Sequence, residues 1–128
     1  MLSVLVIDDS SVKRRLLVGT LGVARLPPHQ VLEAATNQEA QALLDSRHVD
    51  LVVCALDSRK VDARALLEKM RAEPVLATLP VILVGADPNA GALGELEALG
   101  MRGFLREPFR PEALGQLVRE ILRLSEPS

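Results

Sequence analysis

The sequence alternates short apolar runs with longer segments whose apolar residues recur at helical spacing, and no other feature restricts the fold as strongly. The runs, such as "LVVCAL", are continuously apolar, as expected of strands that are buried on both faces of a parallel sheet. The segments between them are long enough to form the helices that connect parallel strands. Five strand–helix units fit into the 128 residues. We therefore predict an α/β fold with a doubly wound, five-stranded parallel sheet and five flanking helices.

Capping residues mark where several of the predicted elements begin. Asp9 or Ser10 can cap the first helix, since a short side chain with an oxygen can accept the free amide hydrogens of a first turn. Thr36 and Glu39 have the spacing of a capping box, and Pro111 suits the first position of the last helix. The predicted strands cover 2–7, 30–34, 50–56, 80–85 and 102–107, and the predicted helices cover 12–24, 37–46, 62–71, 89–99 and 111–124.

Length and composition favour one domain with an aliphatic core. We assign residues 1–124 to the domain and 125–128 to a tail or the start of a linker. Hydrophobic residues make up 48% of the chain but aromatic residues only 2%, so Leu, Val, Ile and Ala must fill the core. A formal net charge of -2 favours neither nucleic acid nor a membrane as a partner. The lone Cys54 and the lack of a signal-like N-terminus lead us to expect a cytoplasmic protein.

The first candidate site follows the first predicted strand, where Asp8 and Asp9 stand side by side. In a doubly wound sheet the functional crevice lies outside the carboxyl ends of the strands, where the strand order reverses. Two carboxylates there can bind a hard cation such as Mg²⁺, whereas an Asp in front of a helix is often only its cap. The residues alone leave both interpretations open.

Four motifs carry a more specific signal: "VLVIDDS" near the N-terminus, followed by "DLVV", "LPVILV" and "GFLREPF". In order and spacing they resemble the receiver domains of response regulators from bacterial two-component systems, and the resemblance covers nearly the whole chain. It implies a CheY-like sheet of order 2-1-3-4-5 and a Mg²⁺ ion at the acidic pair. It also implies that an Asp ending the third strand accepts a phosphoryl group from a histidine kinase. A Ser or Thr ending the fourth strand and a Lys ending the fifth would then contact the phosphoryl oxygens.

Three of these family positions hold residues that cannot perform the expected role. The acceptor position is Ala55, the hydroxyl position is Gly85, and the Lys position is Glu107. Asp8 and Asp9 remain, but a third carboxylate is missing, so we expect weak Mg²⁺ binding and no other cofactor. The resemblance and its departures together predict a pseudo-receiver, a non-enzymatic signalling module without catalytic residues that acts through phosphorylation-independent protein–protein interaction.

Other interpretations remain open. Asp57 lies two residues beyond Ala55, on the same side of an extended chain, and would be the acceptor of a divergent receiver. A flavodoxin-like domain that binds a small ligand would share the fold, although the glycines form no phosphate-binding motif. Replacement of a native aspartate by Ala55 is a further alternative, which would leave Gly85 and Glu107 unexplained.

The resemblance also predicts where partner proteins bind. In the family, the surface formed by helix four, strand five and helix five makes contacts with effectors and with a second copy of the domain. An aromatic residue on strand five, here Phe104, reports the switch state. We expect partner proteins, with a homodimer as one option, to contact Arg102, Phe104, Arg106, Glu112 and Arg119.

Four further residues with chemically distinctive side chains lie in predicted connections or in the first turn of a helix. The resemblance aligns Pro108 with a proline that follows a cis peptide bond. Lys13 either reaches the acidic pocket from the first helix, where it would replace a metal ion, or is solvated. His29 and His48 have no partner at ligand spacing, and we assign them no role.

Overall fold

The computed structural model describes residues 1–86 and 89–125 and confirms the predicted fold class. Five parallel strands form one sheet of order β2-β1-β3-β4-β5. Helices and strands alternate along the chain: β1 Leu2–Ile7, α1 Ser11–Val23, β2 His29–Ala34, α2 Asn37–Ser46, β3 Leu51–Ala55, α3 Ala63–Ala72, β4 Val81–Gly85, α4 Ala90–Ala98, β5 Met101–Arg106 and α5 Pro111–Leu122.

The sheet separates two hydrophobic cores because successive side chains of a strand point to opposite faces. On one face, Leu5 and Ile7 of β1 pack with residues of α2, α3 and α4. On the other face, Val4 and Val6 pack with residues of α1 and α5. All four side chains are fully buried. The sheet therefore has helices on both faces, as its continuously apolar strands predict.

The predicted caps form with one change of partner. Ser10 Oγ accepts the amide hydrogen of Lys13 at 3.2 Å, and Thr36 Oγ1 accepts that of Glu39 at 3.1 Å. The Glu39 carboxylate, however, accepts from the amide of Ala35 at 2.7 Å, one residue earlier than in a standard capping box. Local sequence signals thus set the starts of α1 and α2.

Six strand boundaries differ from the prediction by one residue; among them, β3 begins at Leu51, β4 begins at Val81 and β5 ends at Arg106. Strand β2 begins at His29 and β5 at Met101, each one residue earlier, while β3 already ends at Ala55. His29 is therefore a strand residue, and its Nδ1 lies 3.1 Å from the carbonyl oxygen of Pro27. Among the described residues, no helix is both long and apolar enough to span a bilayer.

Candidate functional site

Backbone hydrogen bonds beyond the strand ends bring the predicted site residues to one edge of the sheet. The amide of Asp8 donates to Ala34 at 3.1 Å, which extends β1 by one residue along β2. The amides of Leu56 and Glu107 each donate at 2.8 Å to carbonyls at the end of β4. The carboxyl ends of four strands therefore meet around one small cavity of about 40 Å³, lined by Asp8, Asp9, Ser10, Lys13, Ala55, Asp57, Ser58, Val84 and Glu107.

The acidic pair lies at this cavity in two different environments. Asp8 is 4% exposed, and its burial raises the pKa of the carboxyl, although a hydrogen bond from the Ser10 amide at 2.9 Å opposes the effect. The pKa of Asp9 is lowered, chiefly by the Ser58 hydroxyl. The pKa values of the two neighbouring carboxyls are therefore shifted in opposite directions.

Arg14 fixes the backbone beneath the acidic pair, a role that the sequence analysis missed. Its guanidinium donates to the carbonyl oxygen of Asp8 at 2.7 Å and to the Glu33 carboxylate at 3.0 Å. Arg14 thereby connects the end of β1 to β2. No local signal distinguishes it from Lys13 and Arg15, because its role depends on which way α1 packs on the sheet.

Asp57 lines the cavity but is held by the neighbouring loop. Its Oδ2 accepts the amide hydrogen of Ala86 at 2.9 Å, directly after β4. The same oxygen lies 2.8 Å from the place that a Cβ on Gly85 would occupy. The Asp57 carboxylate therefore fills the space above Gly85, and we call this arrangement the Asp57–Gly85 latch.

Glu107 and Lys13 form an ion pair at the rim of the cavity. Lys13 Nζ lies 3.9 Å from Glu107 Oε1, with side-chain exposures of 53% and 27%. Since both groups are partly solvated, the pair adds little stability. Lys13 also acts on the acidic pair, because its positive charge lowers the pKa of Asp8. The Glu107–Pro108 peptide bond beside the pair is cis.

The carboxylates do not assemble into a metal site. Among residues 1–86 and 89–125, no group of three His, Cys, Asp or Glu side chains is placed to hold a metal ion. Asp57 Oδ2 already accepts the Ala86 amide hydrogen and Glu107 is paired with Lys13, and neither completes such a group with Asp8 and Asp9. Two carboxylates would leave most of an octahedral Mg²⁺ shell to water, and the residues therefore fit the ion poorly.

The predicted interaction residues do not form one surface. Phe104 is half-buried against the core that contains α4, and strand periodicity places Arg106 on the same side of β5. Arg102 lies where the β4–β5 register is irregular, and it lines a groove with Leu99 and Gly100 after α4. In contrast, Glu112 and Arg119 line a groove with Val23, the last residue of α1, and Ala24, which follows it. Arg119 donates to the carbonyl of Ala24 at 2.8 Å. These two α5 residues thus face α1 and lie apart from the β5 residues.

Cys54 and His48, the other side chains that could carry chemistry, lie outside the cavity. Cys54 is fully buried in β3, and burial together with the charges of Asp8 and Asp62 raises its pKa to about 12. Its thiol is therefore neutral and unreactive at physiological pH. His48 is bonded to the Asp50 carboxylate at 2.8 Å, at the opposite end of β3 from the cavity.

Opposite pKa shifts predict opposite stability changes when the two acids are neutralised. Because burial raises the pKa of Asp8, its ionised form destabilises the folded protein. This destabilisation disappears as falling pH protonates the carboxyl. We expect Asp8→Asn to raise the free energy of unfolding at pH 7 by about 0.5–2 kcal/mol, the range of single stabilising substitutions. The gain should shrink toward pH 4. Urea unfolding at both pH values measures it.

Asp9→Asn is the matched control. A lowered pKa means that ionised Asp9 stabilises the fold above its unfolded pKa, and that this stability is lost as pH falls through the folded value. We therefore expect Asp9→Asn to destabilise the protein at pH 7. A stabilising Asp9→Asn, or a destabilising Asp8→Asn, would contradict the assignment.

The parallel five-stranded sheet with an acidic crevice at its carboxyl ends defines the class of flavodoxin-like α/β domains, and comparison with known proteins narrows this class to one family. Residues 4–119 match the model of the response regulator receiver domain. The chain is 29% identical over 122 residues to a chemotaxis protein CheY homolog of Campylobacter jejuni, covering 94% of this chain and 92% of that protein. This chain belongs to the response regulator receiver family.

Two further similarities agree with this assignment. The cyclic di-GMP phosphodiesterase RocR of Pseudomonas aeruginosa is 30% identical over 122 residues, which cover 91% of this chain but only 30% of RocR. The structure of Vibrio cholerae chemotaxis protein CheY4 has a TM-score of 0.85 at 24% identity, covering 94% of this chain and 98% of that chain. The second similarity supports the fold alone.

Proposed function

We propose that this receiver domain is a signalling module that binds partner proteins without being phosphorylated. The observation that carries the proposal is Ala55, which ends β3 at the cavity with 6% exposure. At the position where the family places its attacking carboxylate, the chain has a methyl group. The acidic pair next to it has no nucleophile to activate.

The residues expected to assist the transfer also argue against phosphorylation. Phosphoryl transfer depends almost entirely on an attacking group held in line and on positive charge near the transferred oxygens. The hydroxyl position is Gly85, and the family's cation is replaced by the Glu107 carboxylate, whose charge would repel an incoming phosphoryl group. Lys13 offsets that charge in part, but it is already paired with Glu107.

A divergent receiver that uses Asp57 is the second candidate function. Asp57 lines the same cavity as Asp8 and Asp9, which favours it. Against it, its Oδ2 is bound to the Ala86 amide, so attack through this oxygen would require the latch to open. The other oxygen, Oδ1, accepts no hydrogen bond from residues 1–86 and 89–125, which leaves it available for attack.

The proposed partner surface is the side of β5 that faces α4. Arg102 and Arg106 are exposed there, on either side of the half-buried Phe104. Aromatic and arginine side chains are enriched at protein interfaces. Because Glu112 and Arg119 face α1, we restrict the proposed surface to these three β5 residues.

Incubation with acetyl phosphate and Mg²⁺ tests the proposed function. We expect intact-mass spectrometry to show no phosphoryl adduct on the wild-type chain, because the acceptor, hydroxyl and cation positions are all substituted. As the matched control, Ala55→Asp/Glu107→Lys restores a nucleophile and a cation at the cavity and should gain an adduct. An adduct on the wild type that disappears in Asp57→Asn would contradict the proposal and identify Asp57 as the acceptor.

A further inference from the structure

An apolar stripe runs along the solvent side of α1. Val12, Leu16 and Val23 are 74%, 60% and 69% exposed. With 100° between successive residues of a helix, these three and Gly19 fall within about 60° of arc and extend over about 16 Å. We call these four residues the α1 stripe.

The core of the domain does not use this stripe. Leu17, Thr20 and Leu21 are the buried residues of α1; the two leucines point away from the stripe, and Thr20 lies at its edge, beside Leu16. Single exposed apolar residues are ordinary, but apolar side chains aligned on one helix face mark an interaction surface. Val75, the most exposed large hydrophobic residue of the described chain, lies apart in the α3–β4 connection.

We propose that the α1 stripe binds the α1 stripe of a second copy of this chain, as an antiparallel helix pair related by a two-fold axis. A two-fold interface requires a patch that is complementary to itself. Val12 and Val23 lie equally far, in opposite directions, from the middle of the stripe, and so do Leu16 and Gly19. Antiparallel pairing therefore places each Val12 opposite the partner copy's equivalent of Val23, and each Leu16 opposite a glycine.

The glycine supplies the space that this pairing needs. A Cβ placed on Gly19 would meet no atom within 4 Å, and the same holds for Gly22. Neither glycine is required by packing inside the domain, and each lowers the helix propensity of α1. In the pair, the surface depression at Gly19 receives the Leu16 side chain of the other copy, a large residue against a small one.

The charges of α1 permit the same arrangement. Lys13 and Arg15 are exposed on the two flanks of the stripe, and in the antiparallel pair they lie beside Thr20 and Gly22 of the other copy, respectively, so no like charges oppose each other. Both cations also approach the carboxyl end of the opposing helix, which attracts positive charge. Glu112 lines the groove beside Val23 and adds a carboxylate on the side that Lys13 would approach.

The stripe is short, so the dimer should be weak. Three large apolar side chains from each copy bury less surface than the roughly 1,200 Å² of a stable complex. We therefore expect a dissociation constant of about 10–500 μM. This dimer goes beyond the proposed function and does not depend on it, since the stripe lies on α1 and the proposed partner surface on β5.

Sedimentation equilibrium of the full chain over a range of concentrations tests the proposal. We expect the average mass of the wild type to rise from one copy toward two, and Leu16→Glu to raise the dissociation constant at least tenfold. Val75→Glu is the matched control, because it adds the same charge at an exposed hydrophobic residue outside the stripe, and it should associate like the wild type. Circular dichroism spectra confirm that each variant is folded.

Gly19→Leu distinguishes a fitted pair from a merely apolar surface. It enlarges the stripe but fills the depression that receives Leu16, so the proposal predicts weaker association. Stronger association of Gly19→Leu would indicate nonspecific contact and overturn the proposal. A wild type that stays monomeric at millimolar concentration, or a dimer that survives Leu16→Glu, would overturn it as well.

Discussion

Replacement of Arg71 with Met is expected to lower the free energy of unfolding by about 2–4 kcal/mol, the range in which one substitution removes several hydrogen bonds to a charged group. The Arg71 guanidinium contacts five carbonyl oxygens: those of Leu76, Ala77 and Leu79 in the α3–β4 connection and those of Leu99 and Gly100 after α4. Burial and the nearby Arg102 lower the pKa of Arg71. Met fills similar volume but donates to none of these carbonyls, of which Leu76 alone keeps a backbone donor in the Leu79 amide at 3.1 Å.

Two further variants define the contribution of this contact. Arg71→Lys keeps the charge but loses the planar fork, and it should recover only part of the stability. Gly100→Ala tests the contact from the other side, because a Cβ on Gly100 would overlap Arg71 Nε and the residue has φ +94°. Urea unfolding followed by circular dichroism measures all three. A loss below about 0.5 kcal/mol for Arg71→Met, the size of an ordinary surface change, would contradict the assigned role.

Arg71 also shows which interactions a sequence conceals. An arginine in the last turn of a helix usually projects into solvent or meets the carbonyls of its own helix. Here it binds carbonyls close to the end of a different helix, 28 and 29 residues away along the chain. Such a contact depends on how α3 and α4 lie against each other. By contrast, the caps at Ser10 and Thr36 involve residues three positions apart and were predictable from sequence.

Most members of the candidate site were predictable, with Arg14 and Ser58 as exceptions, but their arrangement was predictable only in part. Continuous apolar runs locate the strands, and parallel strands bring their carboxyl ends to one edge, so the meeting of Asp8, Ala55, Gly85 and Glu107 follows from the pattern. The position of Asp57 does not follow. The period-two extrapolation from Ala55 assumes that the strand continues, whereas β3 ends at Ala55 and the chain then bends.

The separation of Glu112 and Arg119 from the predicted β5 residues also depends on how the elements pack together. Helix α5 has partners on two sides, β5 and α1, and its sequence specifies which residues are apolar but not which neighbour a polar residue faces. Gly115 lies so close to α1 that a Cβ there would be 3.0 Å from Cβ of Ala24. This close approach turns Glu112 and Arg119 toward the groove with α1, which periodicity alone could not indicate.

The Asp57–Gly85 latch leads to the second large expected effect. A Cβ at position 85 would lie 2.8 Å from Asp57 Oδ2 and 3.1 Å from Cβ of Leu56. We expect Gly85→Ala to destabilise the protein by about 0.5–2 kcal/mol, because the exposed Asp57 carboxylate can turn away only by losing its hydrogen bond from the Ala86 amide, and Leu56 must shift slightly. Gly22→Ala is the matched control, since a Cβ there meets nothing within 4 Å, and it should be neutral or stabilising by up to about 1 kcal/mol.

A double-mutant cycle shows whether the destabilisation comes from Asp57. Asp57→Ala removes the oxygen that crowds position 85 and also the acceptor of the Ala86 amide hydrogen, so alone it should destabilise modestly. In the double variant the new methyl group occupies the vacated space, and Gly85→Ala should then cost less by about 0.5–1.5 kcal/mol, a coupling expected of residues in contact. Additive losses would mean that Asp57 and Gly85 are independent. Coupling would show that the Asp57 carboxylate, from the loop after β3, occupies the space that a side chain at position 85 would need and joins this loop to the residues after β4.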